Sequence, residues 1–253
     1  MTKLKSKKIS KSIKFSKISA APAANILGAD GHSLESDKEE GAATLASVTY
    51  AKIRRDIIVG KLKPGAKLRM TEVCTRYGIG LSPLREALSR LGAEGLVQQS
   101  DRRGFSVSGV SLAELQELIH TRSMLYEIAL KEAIKRGDAA WEDGLLLAFH
   151  HLQRSGRNGH GPGTEEWDAL HKRFHTALIS ACGSRYMITS CELLFDQAER
   201  YRNFSRRSST TRNIDAEHRA IMDAAMARDD ENALTLLTKH VQRTGQLATT
   251  SLK

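Results

Sequence analysis

From Ser111 to the end of the chain, apolar residues recur every three to four positions, and this constrains the fold more than any other feature. That spacing is the α-helical period. It marks six stretches, near residues 111–136, 139–154, 164–182, 185–206, 214–228 and 230–247. A Gly/Pro loop, Gly159-His160-Gly161-Pro162-Gly163, separates the second stretch from the third. Helices patterned this way bury their stripes against one another, so residues 111–250 are expected to form an all-α bundle. Only 5% of the chain is aromatic, which leaves Leu, Ile, Ala and Val to fill the core.

Residues 46–110 read differently. Tyr50, Ile53, Ile57 and Ile58 lie at helical spacing, and Gly60 ends that helix. After the Pro64-Gly65 turn, Thr71-Glu72 opens a short helix that stops at Tyr77-Gly78. Ser82 is expected to cap the next helix with Pro83 at its first position. Leu84, Leu88 and Leu91 form its buried stripe, and Gly95 stops it. Val97–Gln99 and Phe105–Val107 are short strand candidates, with Asp101-Arg102-Arg103-Gly104 between them as a hairpin tip. Helix, helix, turn, helix and hairpin is the winged helix-turn-helix layout. The expected fold class is therefore mainly α: an N-terminal winged helix-turn-helix over 46–110 and a C-terminal helical bundle over 111–250. Residues 1–45, basic and then acidic, lack sustained periodicity and are expected to be a disordered tail.

Charge and cysteine usage narrow the setting. The net charge of +10 is uneven. Residues 46–110 carry twelve Lys or Arg against five acids, whereas 111–253 carry nineteen of each. A compact basic segment beside a neutral one suits a polyanionic partner, though charge alone leaves a merely solvated surface equally open. The seven Lys of residues 1–17 fit a solvated tail or a non-specific attraction to phosphate. Cys74, Cys182 and Cys191 form no CxxC pair, which fits a reduced cytoplasmic protein. No apolar run approaches the roughly 20 residues that span a bilayer, and no secretory signal is visible.

On a helical wheel of residues 82–95, Ser82, Arg85 and Ser89 lie away from the leucine stripe. The second helix of a helix-turn-helix enters the major groove, where Arg can bridge guanine O6 and N7. Arg102 and Arg103 at the wing tip are placed to meet backbone or minor groove, while Arg90 sits to the side near Glu86 as its expected partner. The run Gly-Ile-Gly-Leu-Ser-Pro-Leu-Arg-Glu-Ala-Leu-Ser-Arg-Leu-Gly-Ala-Glu-Gly-Leu-Val over 78–97, followed by Arg103-Gly104-Phe105, resembles the GntR superfamily of transcription regulators. The resemblance implies DNA contacts at Ser82, Arg85 and the wing tip around Gly104, and with Pro83, Ser89, Arg102 and Arg103 these are the candidate contact residues. It also implies a homodimer on palindromic operator DNA.

Four of the nine histidines sit on apolar stripes. His171 and His175 are four apart on one helix, on the face of Trp167, Phe174 and Leu178. His218 shares a face with Ile221, Met222 and Ala225, and His240 with Ala233, Leu236 and Leu237. One inward histidine is ordinarily a satisfied core residue. Four on three helices leave two readings open, a structural cluster or a site for a divalent transition metal (Zn, Ni or Mn). Arg122 lies on the core-facing stripe of Leu115, Leu118, Leu125, Tyr126 and Ala129. A guanidinium there needs an internal partner or an anionic ligand such as a carboxylate. Arg202, beside Tyr201, is a second candidate for which a surface position is expected.

Residues 111–248 resemble the ligand domain of the FadR subfamily, the FCD domain. His171-Lys-Arg-Phe174-His175, Glu217-His218-Arg-Ala-Ile and His240 follow that domain's metal motif in order and spacing. The resemblance implies a metal at His171, His175, His218 and His240. It implies a small carboxylate effector held by Arg122, beside which Tyr126 and Arg202 are further candidates, and repression relieved by that effector. The segment Trp141 to Arg154 is similar to members that answer to dicarboxylates such as glutarate. The sequence departs from the family at His171, where Asp is common, which makes the site less anionic and leaves open whether His171 is a ligand. Two alternatives compete with a ligand-controlled regulator: a metal-dependent enzyme with a basic accessory domain, and a metal-free regulator with a structural His cluster. Against the enzyme, the chain has no HExxH and no obvious general base beside the cluster.

Overall fold

The computed structural model describes residues 44–100, 104–205 and 212–252. Nearly all of the expected N-terminal tail lies outside these residues, as do Arg102 and Arg103. The first helices are α1 (Leu45–Ile58), α2 (Met70–Tyr77) and α3 (Leu81–Ala93), accompanied by strands β1 (Lys67–Leu68), β2 (Val97–Ser100) and β3 (Gly104–Val107). Six helices follow: α4 (Leu112–Arg136), α5 (Ala139–Arg157), α6 (Glu165–Ile179), α7 (Arg185–Ser205), α8 (Ile214–Met226) and α9 (Asp230–Leu252).

Local chemistry accounts for the helix starts. The side chains of Thr44, Ser111, Asp138, Thr164 and Asn213 each accept a hydrogen bond from the backbone N–H three residues on. Each thereby satisfies a donor that the helix itself cannot. At the end of α2, Gly78 adopts φ of 66°, a left-handed conformation that glycine reaches without steric cost. Helix α3 corrects one expectation. It begins at Leu81 from an extended Gly80, and Ser82 makes no capping bond because it is already inside the helix. Pro83 is then the third helical residue, where its missing N–H still costs nothing.

The sheet has the order β1-β3-β2, antiparallel throughout, with Leu68 opposite Phe105 and Val97 opposite Val107. Strand β1 was not expected, since two residues carry no alternation to read. The leucine stripe is as expected: Leu84, Leu88 and Leu91 are fully buried against Ile53, Ile57, Leu68, Val73 and Val107. A second apolar core, including Leu130, Leu145, Trp167, Phe174, Leu178, Ile221 and Leu237, joins helices α4, α5, α6, α8 and α9. Gly245 lets α9 lie close against α4: a Cβ there would come within 2.7 Å of Ile119 Cγ1. Helices α5 and α9 run past their expected ends, to Arg157 and Leu252.

Helix α7 ties the two cores together. Arg54 of α1 pairs with Asp196 of α7 and, at 2.8 Å, with Glu94. Asn203 Nδ2 donates to the Ile58 carbonyl at 2.7 Å. Arg200, fully buried, donates to the Ser108 carbonyl at 2.7 Å, just where β3 leaves for α4. Helix α7 thus contacts both α1 and the root of the hairpin.

Candidate metal centre and DNA-binding face

Helix α6 contributes His171 and His175, α8 contributes His218, and α9 contributes His240. Their burial follows from the stripes they occupy, and none is more than 5% exposed. One ligand atom from each ring lies within 4.8 Å of all the others. His171 Nε2 and His175 Nε2 face one another at 3.1 Å. Two nitrogens on one ion at about 2.1 Å each stand about 3.0–3.4 Å apart in octahedral or tetrahedral geometry, so this spacing suits a shared ion.

The polar atoms point the same way. His218 is fully buried, and neither ring nitrogen has a hydrogen-bond partner among the described residues. The Nδ1 atoms of His171 and His175 also lack one. An unmet buried polar group costs about 1–3 kcal/mol, and a metal, taking one nitrogen per ring, would relieve one of the two at His218. Burial, reinforced by the charge of Arg202 and the neighbouring imidazoles, holds His171 well below the usual histidine range. Burial likewise lowers His175 and His218, and it brings His240 down to about 4. All four rings are therefore neutral near pH 7, the form that binds metal.

This burial has a pH consequence for the metal-free protein. Folded-state values lie below the unfolded value of about 6.5, so below that pH the unfolded chain binds more protons. Stability is fully present above pH 6.5 and is expected to fall as the pH drops towards 4, by up to about 1.4 kcal/mol per pH unit for each ring that protonates only on unfolding. Thermal melts of chelator-treated protein at pH 7 and pH 5 check this, and equal midpoints would contradict it.

The cluster has a charged surround. Arg122 on α4 is 4% exposed, its guanidinium 4.8 Å from the Phe195 ring centre and 5.1 Å from that of Tyr126. Its Nε has no partner among the described residues. Phe195 in turn packs against His171 and His175 at 5.2 and 5.3 Å. Tyr126 meets His175 edge-on at 6.1 Å, and burial pushes its phenol up to about 12. Arg202 departs from the expected surface position. Its side chain is 12% exposed, paired with Glu199 and with Asp168 at 2.7 Å, and it lies over the Trp167 ring. Asp168 and Trp167 are distant in sequence, whereas Glu199 is an i,i+3 neighbour on α7 that helical spacing could have named. His150 and His151 pack against each other rather than joining the cluster.

Sequence reasoning assigns no role to Glu199, Glu217 or Arg212. Glu199 Oε1 stands 3.8 Å from His171 Nδ1, and Glu217 Oε2 stands 3.0 Å from His240 Nδ1. Burial raises Glu217, but its bonds with His240 and Arg212 more than offset this and hold it well below the usual carboxylate range.

On α3, Ser82, Arg85 and Ser89 are exposed and Pro83 is half-buried, with the leucine stripe on the opposite side. Gly104 is exposed at the start of β3 with φ of 76°. Arg90 does not pair with Glu86 as expected. It lies 4.1 Å from the Tyr50 ring centre and donates to Ser47 Oγ, because α1 packs alongside and offers an aromatic face.

The sequence matches the family described as bacterial regulatory proteins, gntR family, over residues 45–107, and the FCD domain over 117–243. It is 35% identical over 199 residues to the HTH-type transcriptional repressor GlaR of Escherichia coli (strain K12), covering 76% of this chain and 90% of GlaR. It is 36% identical over 203 residues to BphR of Paraburkholderia xenovorans (strain LB400), named as an HTH-type transcriptional regulator, covering 79% of this chain and 83% of BphR. Among solved structures, E. coli McbR/YncC superposes with a TM-score of 0.70 at 19% identity, covering 83% of this chain and 99% of that one, a likeness of fold.

Proposed function

The chain belongs to the gntR family of bacterial regulatory proteins and carries an FCD domain, and from that premise we propose that it is a cytoplasmic homodimeric repressor released from palindromic operator DNA by a small carboxylate or dicarboxylate at a metal-containing pocket. It is a DNA-binding transcriptional regulator, as its relatives are, and not an enzyme. No helix among the described residues is long and apolar enough to cross a membrane. In this reading residues 46–110 are the DNA-binding unit and 111–250 the effector unit.

The observation that carries the reading is a buried set of four neutral imidazoles, three of them with unmet nitrogens among the described residues, packed through Phe195 against a buried arginine whose Nε is unmet. His171, His175, His218 and His240 would hold the ion. Four nitrogen donors and no carboxylate suit zinc or nickel better than manganese. A bound divalent ion supplies a positive centre for a carboxylate oxygen. Arg122 offers a second contact to the same anion, with Tyr126 beside it. Arg202, already met by Asp168 and Glu199, orients the surround.

Asp196 offers a route to the DNA unit. Its Oδ2 accepts from Arg54 of α1 and, at 2.6 Å, from Lys172, the residue after His171. A shift of α6 or α7 on effector binding thereby bears on α1, against which α3 packs. A coupling of about 1–3 kcal/mol gives roughly 5- to 150-fold control of DNA affinity.

Arg85→Ala tests the DNA face. With a labelled duplex of the protein's own promoter region at fixed salt, we expect a loss of about 1–3 kcal/mol in specific binding, the worth of one bidentate base contact. Binding to unrelated duplex should change far less. Wild-type affinity for the promoter duplex would remove Arg85 from the reading surface.

A further inference from the structure

The four-histidine set contains no anionic donor, yet a carboxylate sits directly behind one ring. His240 Nδ1 has two neighbours, Glu217 Oε2 at 3.0 Å and Arg212 Nη2 at 3.1 Å. They demand opposite tautomers. A protonated Nδ1 donates to the carboxylate, whereas a bare Nδ1 accepts from the guanidinium. Only the first leaves the lone pair on Nε2, the nitrogen on the other side of the ring.

The surround holds Glu217 in the position that selects the first. Arg212 Nε donates to both carboxylate oxygens, at 2.9 and 3.0 Å, and Arg243 Nη1 donates to Oε1 at 3.1 Å. Arg212 is itself tied down by Thr244 Oγ1 at 3.0 Å and the His240 carbonyl at 3.2 Å. The carboxylate is therefore fixed from three sides and stays ionised. No other ring of the cluster has such a bond among the described residues. His175 and His218 have no partner at Nδ1, and Glu199 lies too far from His171 Nδ1 for a hydrogen bond.

We propose that Glu217 is the positioning residue of the metal centre: it fixes His240 with its proton on Nδ1 and supplies the negative charge that four neutral imidazoles lack, so that metal affinity depends on a residue that does not touch the ion. This inference rests on the metal reading of the cluster.

The test uses the full chain without a histidine tag, stripped with chelator, and zinc titrated against a chromophoric chelator. A carboxylate behind a ligating histidine is typically worth 10- to 100-fold in metal affinity, and that loss is expected for Glu217→Gln, which keeps the side-chain shape. Glu217→Asp keeps the charge one methylene short, and its loss should be smaller. In ¹⁵N-histidine spectra of the zinc-loaded wild type, His240 should show a strongly hydrogen-bonded Nδ1 proton. That signature should weaken in Glu217→Gln, whose amide oxygen is a neutral acceptor in place of a charged one. A Glu217→Gln affinity within about twofold of wild type, or a tighter one, would overturn the inference, since the expected loss starts at tenfold. An unchanged Nδ1 signal in Glu217→Gln would overturn it as well. Failure of the wild type to bind zinc would instead overturn the metal reading, whatever Glu217 does.

Discussion

His218→Ala is expected to weaken zinc binding by more than about 100-fold, beyond the range seen when only an outer partner of a ligand is lost. The reason is the isolation of this ring. It is fully buried, and neither nitrogen has a partner among the described residues. Its stability signature should separate the two states of the protein. Without metal, the substitution relieves two unmet nitrogens, worth about 1–3 kcal/mol each, but opens a cavity of comparable or larger cost. With metal, each protein gains stability with the logarithm of free ion over its own dissociation constant, so the weaker-binding variant gains less. Thermal melts with and without zinc, at zinc concentrations below the variant's dissociation constant, should show a metal-dependent rise in midpoint for wild type and almost none for His218→Ala. A rise of equal size in both would place the ion elsewhere.

Arg122→Met is expected to abolish the response to carboxylates while leaving operator binding in place. Arg122 is 4% exposed, with its guanidinium between the Phe195 and Tyr126 rings, and Met retains much of the stem's bulk there. Losing one partner of a buried charge pair costs about 2–5 kcal/mol, or roughly 30- to several-thousand-fold in carboxylate affinity. Calorimetric titration of zinc-loaded protein with a panel of small mono- and dicarboxylates measures it. Retention of wild-type carboxylate affinity by Arg122→Met would assign the anion to other residues.

Much of each candidate site is legible in the sequence because each lies on a periodic pattern. Leu84, Leu88 and Leu91 define the inner face of α3 and so the outer face that bears Arg85. The i, i+4 pair His171 and His175, with two more histidines on apolar stripes, signals by spacing alone that several imidazoles turn inward. The unread parts depend on partners that periodicity cannot name. Arg202 reads as a surface residue until α6 brings Asp168 and Trp167 beside it. Arg90 reads as the partner of Glu86 until α1 brings Tyr50 beneath it. Ser82 is a good cap by type and so suggests too late a start for α3, whereas the extended Gly80 begins the helix earlier. Glu217 is hidden in plain sight. It precedes His218 in the chain, but its bond crosses to α9 and His240.

The most direct test of the central claim is operator affinity measured four ways: metal-loaded and metal-stripped protein, each with and without the carboxylate that binds it best. The carboxylate is expected to weaken operator binding by about 5- to 150-fold in the metal-loaded protein, and this effect should be lost when the metal is removed. An equal carboxylate effect in stripped protein, or none in either form, would contradict a metal-dependent carboxylate sensor.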